Sequence, residues 1–186
     1  MANVVITGAN RGIGLELCRQ LSTRGDTVTA ACRQASVGLK ALNLDIFEGF
    51  DVTEEASLKR LRQHLDGNSV DLLINNAGIL RRETLAELDI DSIREQFEVN
   101  SLGPLRVTAA LQDLLSNPSK VAIITSRMGS ITDNTSGSRY GYRMSKAAVN
   151  MAGMSLSKDL QGHGVAVAIL HPGFVQTDMT GGAGDV

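Results

Sequence analysis

The clearest chemical pattern in the sequence is a tyrosine followed four residues later by a lysine, Tyr142 and Lys146. On a helix, residues four apart share one face, so the Lys146 ammonium can lie near the Tyr142 hydroxyl. A nearby cation favours the phenolate and is expected to lower the pKa of Tyr142 toward neutrality. A tyrosine of that kind exchanges a proton near pH 7. Taken alone, the same pair is also typical of a solvated helix face.

Two further polar residues stand where a side chain can contact a bound molecule. Ser126 follows the apolar run at 121–125, which predicts a buried strand, and its hydroxyl can hydrogen-bond a substrate oxygen. A serine at a strand end is also typical of a turn. Asn100 lies within a predicted helix close to Pro104, although asparagine is a poor residue for a helix interior. The plainer interpretation places Asn100 at an exposed position that tolerates a polar side chain.

Three glycines, Gly8, Gly12 and Gly14, follow a β-branched run at residues 4–6. Leucines at helical spacing come next, so the segment predicts a strand, a glycine-rich turn and a helix. Glycine permits a sharp turn and the close approach of a ligand, and the unpaired N–H groups of a helix start attract an anion. The segment therefore suits a phosphate, although its spacing differs from the G-x-G-x-x-G dinucleotide fingerprint. A plain strand-to-helix turn is the alternative.

Apolar runs and turn residues divide the chain into alternating strands and helices. Strands are predicted at 4–6, 27–32, 46–52, 70–75, 121–125 and 165–170. Helices are predicted from the glycine turn to about residue 24 and at 55–65, 92–115 and 142–160, with a short helix or loop at 34–42.

Local signals refine the helix boundaries. Thr53 is expected to cap the helix at 55–65, and Ser92 with Glu95 resembles a capping box at the start of the next helix. Pro104 inside that helix predicts a kink or a local loss of backbone hydrogen bonds.

The alternation is typical of an α/β fold with a mostly parallel sheet and helices on both faces. Right-handed crossovers then produce a doubly wound, Rossmann-type sheet, in one domain over residues 1–186. In such sheets the ligand lies beyond the carboxyl ends of the strands. The turn at 8–14, residues 75–78, Ser126 and residues 172–173 all collect there. One edge of the sheet is therefore predicted to carry the site.

The composition argues against several other classes of function. A net charge of −2 does not indicate a nucleic-acid partner, and 3% aromatic residues without tryptophan argue against a surface that stacks bases or sugars. The two cysteines, Cys18 and Cys32, lack the spacing of a metal site or a disulfide framework. With no signal peptide and no apolar run of membrane-spanning length, we expect a cytoplasmic protein without a metal.

Seven motifs in register resemble the short-chain dehydrogenase/reductase family over almost the whole chain. They are Thr7-Gly8-Ala9-Asn10-Arg11-Gly12-Ile13-Gly14, Asp51-Val52-Thr53, Asn75-Asn76-Ala77-Gly78, Asn100, Ser126, Tyr142-x-x-x-Lys146 and Pro172-Gly173-Phe174-Val175-Gln176-Thr177. Two of them, Tyr-Arg-x-Ser-Lys and Ala-Asn-Arg-Gly-Ile-Gly, are similar to the C-factor and Sniffer-like carbonyl reductases within the family. The resemblance implies an oxidoreductase that interconverts a carbonyl and an alcohol with a nicotinamide cofactor.

The family resemblance also implies a role for each motif. Tyr142 would be the general acid or base, and Lys146 would lower its pKa and bind the nicotinamide ribose. Ser126 would hold the substrate oxygen, and Asn100 would position Lys146 through a water. The implied cofactor-binding residues are Gly8, Asn10, Arg11, Gly12, Ile13, Gly14, Arg33, Asp51, Val52, Asn76, Ala77, Gly78, Tyr142, Lys146, Pro172, Gly173, Val175 and Thr177.

The residue after the second strand indicates which dinucleotide is used. An acidic residue there would bond a ribose 2′-hydroxyl, but this chain has Cys32 and then Arg33. Arg11 is expected at the mouth of the same site, and two guanidinium groups can bind a 2′-phosphate by forked, charge-assisted hydrogen bonds. We therefore expect NADP(H); two solvated surface arginines are the alternative.

Three expectations concern the rest of the protein. Family members continue through a substrate-covering helix and a seventh strand, so we expect the native polypeptide to extend past Val186. We also expect a homodimer or homotetramer that acts on a small-molecule carbonyl or alcohol. A catalytically idle dinucleotide-binding regulator and a signalling protein on the same fold remain as alternatives.

Overall fold

The computed structural model describes residues 1–65 and 67–185 and forms one six-stranded sheet flanked by helices. The strands are β1 (Asn3–Thr7), β2 (Thr27–Cys32), β3 (Asp45–Glu48), β4 (Leu72–Asn75), β5 (Lys120–Ile124) and β6 (Ala166–Leu170). The α-helices are α1 (Gly12–Thr23), α2 (Val37–Lys40), α3 (Glu55–His64), α4 (Ile90–Phe97), α5 (Gly103–Ala110) and α6 (Tyr140–Asp159). A π-helical turn, Glu98–Leu102, joins α4 to α5.

The sheet order is β3-β2-β1-β4-β5-β6, and every neighbouring pair is parallel. The chain builds outward from β1 to β3, returns past β1 and then builds outward in the opposite direction. The predicted doubly wound α/β fold is therefore confirmed. The direction of winding reverses between β1 and β4, where such sheets bind their ligands.

Alternate residues of the central strands face two separate apolar layers. Val5 and Leu73 pack on one face with α3, α5 and α6, through residues such as Leu61 and Val107. Val4 and Ile6 point to the other face, where α1 and α2 contribute Cys18, Leu21 and Leu39. Because both faces of the inner strands are covered, β1 and β4 read as continuous apolar runs rather than as alternating ones.

Two expectations about the chain after β2 are wrong. The third strand ends at Glu48 rather than at residue 52, because Gly49 adopts a φ of +75° and turns the chain. Thr53 does not cap α3; its hydroxyl donates to Asp51 Oδ1 at 2.7 Å, and Glu54 occupies the cap position without a side-chain bond. Asp51 and Val52 consequently lie in a turn at the end of the sheet.

The expected capping box at Ser92 and Glu95 is also wrong. The helix begins at Ile90, and the Asp89 carboxylate accepts the Ser92 amide at 2.9 Å. Ser92 instead donates its hydroxyl to Glu83 Oε1 at 2.8 Å. Aspartate and serine are both good capping residues, so the pattern alone did not separate the two registers.

The irregularity predicted at Pro104 takes the form of the π-helical turn directly before it. Proline has no N–H to donate to the carbonyl four residues earlier, which belongs to Asn100. The wider turn turns Asn100 and Ser101 inward, and both side chains are buried. Helical structure of the α type ends at Ala110 rather than near residue 115, and a short turn at Gln112–Leu114 follows.

A network of hydrogen bonds joins β1 to β4 at the reversal point. The Asn76 side chain donates to the carbonyl oxygens of Thr7 and Gly8, each at 3.0 Å. In return the buried Thr7 hydroxyl accepts the amides of Asn76 and Ala77, each at 3.1 Å. Neither strand end can move without breaking these bonds.

No helix in the described part of the chain, residues 1–65 and 67–185, has both the length and the apolar character that crossing a membrane requires.

Replacing Thr7 by valine is expected to lower the free energy of unfolding by about 1–3 kcal/mol. Valine keeps the shape of threonine but leaves the Ala77 amide without its acceptor. Denaturant titration measures the change. The matched control is Thr27→Val, an exposed threonine in β2, which should stay within about 0.5 kcal/mol of the parent. Equal stability of the two variants would contradict the role of Thr7.

Candidate active site

A cleft runs along the carboxyl ends of β1, β2 and β4, on both sides of the reversal point. Most of the residues predicted to bind a cofactor line it: Gly8, Asn10, Arg11, Gly12, Ile13, Arg33, Asp51, Val52, Asn76, Ala77, Gly78 and Thr177. Residues that the sequence motifs did not include complete the walls: Cys32, Phe50, Ile79, Glu95, Val99, Asp178 and Met179. Several of these additional residues are direct neighbours of motif residues, which is the one signal that could have identified them.

The glycine turn fits the close approach of a ligand. Gly8 and Gly12 have φ values of +67° and +52°, a region that disfavours other residues. A Cβ on Gly8 would lie 2.8 Å from the Ala77 Cα atom, and a Cβ on Gly12 would meet nothing nearer than Thr177 Cγ2, at 3.3 Å. The turn therefore leaves its backbone exposed to the cleft at the start of α1. This cradle suits the phosphates of a dinucleotide.

Gly14 has a structural position rather than a place in the cleft lining. A Cβ there would collide with the Gly8 carbonyl oxygen and would lie 2.6 Å from Asn76 Nδ2. Its missing side chain lets α1 pack directly against the turn. Pro172, Gly173 and Val175, after β6, also lie outside the cleft lining.

The two arginines predicted at the cleft mouth have different surroundings. Arg33 is exposed, and its guanidinium forms no ion pair with the residues that the structure describes. Arg11 Nη1 lies 3.4 Å from Asp178 Oδ2 in an ion pair, and both side chains are largely exposed. This pair connects the glycine turn to the segment after β6. No carboxylate follows β2, so the environment of Arg33 remains suited to a phosphate.

The first turns of α6 carry Tyr142 and Lys146, which are 8% and 5% exposed. Lys146 Nζ donates to the Ile124 carbonyl at the end of β5, at 2.8 Å, and lies 5.7 Å from the centre of the Tyr142 ring. A Cβ on Gly78 would be 3.8 Å from Lys146 Nζ. Because Gly78 lines the cleft, the Lys146 ammonium lies next to the cleft wall.

Ser126 stands at the end of β5 and begins the short turn Arg127–Gly129. Its hydroxyl oxygen accepts the Met128 amide at 3.1 Å, as a turn-forming serine does. The same hydroxyl also acts to lower the pKa of Tyr142. The turn-forming interpretation and the substrate-facing interpretation are therefore compatible in this position.

The expected lowering of the tyrosine pKa is wrong for this arrangement. Burial raises the pKa of Tyr142 above 10, and the hydrogen bond with Ser126 opposes that rise only in part. The neighbouring Lys146 ammonium does not reverse this rise, and burial lowers its own pKa to about 8. The tyrosine is consequently a protonated hydrogen-bond donor at neutral pH. The neighbouring Lys146 loses its charge at a slightly higher pH, near 8.

Asn100 is fully buried, which contradicts the plainer interpretation of an exposed position. Its side chain accepts the Ile79 amide and donates to the Ile79 carbonyl, both at 2.8 Å, and donates to Ser145 Oγ at 3.0 Å. Ser101 adds a bond to the Ser145 carbonyl at 2.8 Å. The π-helical turn therefore attaches α6 to the loop after β4.

Within the described residues, no group of three histidine, cysteine or acidic side chains is arranged to hold a metal ion. Cys18 and Cys32 are buried, unpaired thiols, and burial raises the pKa of both.

Comparison with known proteins gives a consistent assignment. The family model described as short chain dehydrogenase matches residues 2–185. The chain is 44% identical to the 1-hydroxy-2-glutathionyl-2-methyl-3-butene dehydrogenase of Rhodococcus sp. (strain AD45), over 97% of this chain and 80% of that protein. It is 50% identical to the C-signal protein of Myxococcus xanthus, over 60% of this chain and 69% of that protein.

Among solved structures, the NADPH-bound carbonyl reductase from chicken fatty liver superposes with a TM-score of 0.89 at 32% identity. The alignment covers 100% of this chain and 84% of that one. These matches confirm the resemblance to C-factor proteins and carbonyl reductases. The chain belongs to the short-chain dehydrogenase/reductase family of oxidoreductases.

Proposed function

We propose that the protein is an NADP(H)-dependent oxidoreductase that interconverts a small-molecule carbonyl and its alcohol, with Tyr142 as the general acid or base. The observation that supports this proposal is the approach of Lys146 Nζ to Gly78, which lines the glycine-turn cleft, with Tyr142 one turn earlier on the same helix and Ser126 two residues after the Ile124 carbonyl that Lys146 contacts. A phenol, an aliphatic hydroxyl and a buried ammonium are the groups that manage a proton on an oxygen atom. A binding protein without turnover would not need them together.

The names of similar proteins support the same reaction class. The Rhodococcus relative is named as the dehydrogenase of a 1-hydroxy compound, and the chicken protein is named as a carbonyl reductase. The two names describe opposite ends of one interconversion. We therefore place a carbon–oxygen group, rather than a carbon–nitrogen or phosphate group, at Tyr142.

The cofactor would be held by the cleft residues. The glycine turn would receive the pyrophosphate at the start of α1, and Arg33 would face the 2′-phosphate. Asp51 and Val52 would lie against the adenine, and residues 76–78 would form the floor. When bound, NADPH supplies the hydride, and the protein supplies orientation and the proton.

The proton step follows from the state of Tyr142. Reduction builds negative charge on the substrate oxygen, and a hydrogen-bond donor must stabilise that charge. Since burial raises the pKa of Tyr142, the phenol keeps its proton at neutral pH and can donate it. Ser126, whose hydroxyl acts to lower the pKa of Tyr142, would hold the same substrate oxygen. An aliphatic hydroxyl is too weak an acid to replace the phenol at pH 7.

Lys146 would stabilise the phenolate left behind by that step. Its ammonium is held by one backbone carbonyl in a buried position, so its charge is weakly screened by water. We expect Asn100 to act through Ser145 and the loop after β4, to which it is bonded directly. A water between Asn100 and Lys146 remains part of the proposal.

We predict that Tyr142→Phe lowers the turnover of carbonyl reduction by at least about 10²–10⁴-fold, the usual size of a general acid contribution. Because the ring remains and only the hydroxyl is lost, the affinity for NADPH should be largely unchanged. The oxidation of NADPH with a panel of aldehydes and ketones measures the first quantity, and fluorescence titration measures the second.

The matched control is Tyr140→Phe, which removes a hydroxyl two residues away. Tyr140 has no lysine four residues later, and that variant should remain active. A dead Tyr140→Phe variant, or an active Tyr142→Phe variant, would assign the acid to another group. NADPH binding without turnover on any substrate would favour the idle regulator.

The pH dependence should follow Lys146. Its pKa is lowered to about 8, so its charge is present below that pH and is lost above it. Tyr142 keeps its proton over the same range, because its pKa is raised above 10. We therefore expect kcat/KM for reduction to fall as the pH rises through about 8. Lys146→Met, measured at saturating NADPH, should be slower at every pH and should not show this fall in kcat/KM near pH 8. The same fall in the variant would exclude Lys146 as the group whose titration causes it.

The cofactor preference should depend on Arg33. Loss of a charge-assisted hydrogen bond corresponds to about 1.5–3 kcal/mol, so Arg33→Ala is expected to raise the Kd of NADPH roughly 10- to 100-fold. The Kd of NADH should not change, because it has no 2′-phosphate. Arg94→Ala, an exposed arginine on α4, is the control. Comparable kcat/KM values for NADH and NADPH in the parent protein would refute the preference.

A further inference from the structure

A buried glutamate lies outside every sequence motif that resembles the family. Glu83, in the connection between β4 and α4, is 2% exposed. Its carboxyl oxygens are met by uncharged groups rather than by an ion pair within the described residues. A buried acidic side chain without a cation is rare, so its position needs a reason.

The contacts of Glu83 connect two helices. Oε1 accepts the Ser92 hydroxyl at 2.8 Å and a second hydrogen bond from Gln96 Nε2, both on α4. Oε2 faces the Gly141 amide in the first turn of α6, at 3.4 Å. The Glu83 carbonyl oxygen accepts the amide of Arg139 at 2.8 Å. Glu83 therefore accepts hydrogen bonds from two backbone amides at the start of α6, those of Arg139 and Gly141.

Tight packing surrounds the same point. Gln96 is 0% exposed, and its Oε1 accepts the Arg81 amide at 3.0 Å. A Cβ on Gly141 would collide with Gln96 Nε2 and would lie 3.0 Å from the Ile93 Cα atom. The first turn of α6 thus rests directly on α4, because Gly141 has no side chain to hold the two helices apart.

The start of α6 needs this support, because its own sequence provides little. Gly137, Ser138 and Arg139 have φ values of +63°, +53° and +52°, and two of these three residues are not glycine. Arg139 stands at the cap position without a side-chain cap bond, and no acidic residue lies in the first turn. Glu83 supplies the acceptors that a capping residue ordinarily supplies.

Tyr142 follows Gly141 directly, and Lys146 lies one turn later. We propose that Glu83 is a positioning residue that sets the start of α6, and so the place of the Tyr142 hydroxyl, relative to α4 and the loop after β4. The proposal rests on the proposed function only for its effect on turnover; the position of Tyr142 can be tested without any reaction.

The test uses the fact that the chain has two tyrosines and no tryptophan. In a Tyr140→Phe background, the tyrosinate absorbance reports Tyr142 alone. Glu83→Gln keeps one acceptor oxygen for the donors on α4 but turns an amide donor toward the Gly141 amide. We expect Tyr142 to lose part of its burial and its pKa to fall toward 10, the usual value from which burial raises it. Lys146, the charged group beside the ring, is unchanged in every variant, and Glu83→Asp, which keeps an acidic side chain, separates a change of burial from the loss of the Glu83 charge.

Glu87→Gln in the same background is the matched control. Glu87 is exposed on the same loop, and its side chain makes no hydrogen bond among the described residues, so the titration of Tyr142 should not move. If Glu83→Gln does not fold, Glu83→Asp decides by the same titration, because the shorter side chain withdraws from Gly141. An unchanged Tyr142 titration in the folded Glu83 variant overturns the proposal.

Turnover gives the second arm. Glu83→Gln is expected to lower kcat for carbonyl reduction at least about tenfold while the Kd of NADPH changes much less, since the cofactor cleft does not include Glu83. A purely structural role would lower the melting temperature and leave kcat per folded molecule intact, which would also overturn the proposal. An inactive parent protein would refute the proposed function instead, and the Tyr142 titration would still decide the role of Glu83.

Discussion

The hydrogen bond from Lys146 to the Ile124 carbonyl joins the helix that carries Tyr142 to the end of β5, two residues before Ser126. A buried ammonium is unstable without such an acceptor, so the bond helps to fix how α6 lies on the sheet. The same burial lowers the pKa of Lys146 to about 8 and raises that of Tyr142. The positions of Tyr142 and Lys146 and the shifts in their pKa values therefore have one cause, the packing of α6 over the end of β5.

The cofactor side of the site depends on a second constraint, the reversal of winding between β1 and β4. Two crossovers leave that point in opposite directions, and the space between them becomes the cleft. Thr7 and Asn76 close the gap below it with paired hydrogen bonds, and Gly14 lets α1 pack against the turn. Gly78 then brings the floor of the cleft up to Asn100 and Lys146, so the two halves of the site share one wall.

Sequence patterns were reliable where one physical rule dominates and unreliable where two compete. The apolar runs placed six parallel strands, and β2 was predicted residue for residue. The plainer interpretation of Asn100 as exposed was wrong, because helix propensity treats a mid-helix asparagine as a surface residue, whereas the π-helical turn before Pro104 turns it inward. The pKa of Tyr142 was predicted to fall, because spacing alone reveals the neighbouring cation but not the burial that outweighs it. Glu83 could not be recognised, since its partners come from two helices far apart in sequence.

The position of the substrate oxygen tests the central claim most directly. We would determine the structure of the complex with NADP and an unreactive alcohol or ketone analogue. We predict that the analogue oxygen lies about 2.6–3.2 Å from the Tyr142 hydroxyl, with the Ser126 hydroxyl at the same atom. An analogue oxygen that lies out of reach of Tyr142, against a different proton donor, would contradict the assignment of Tyr142 as the acid.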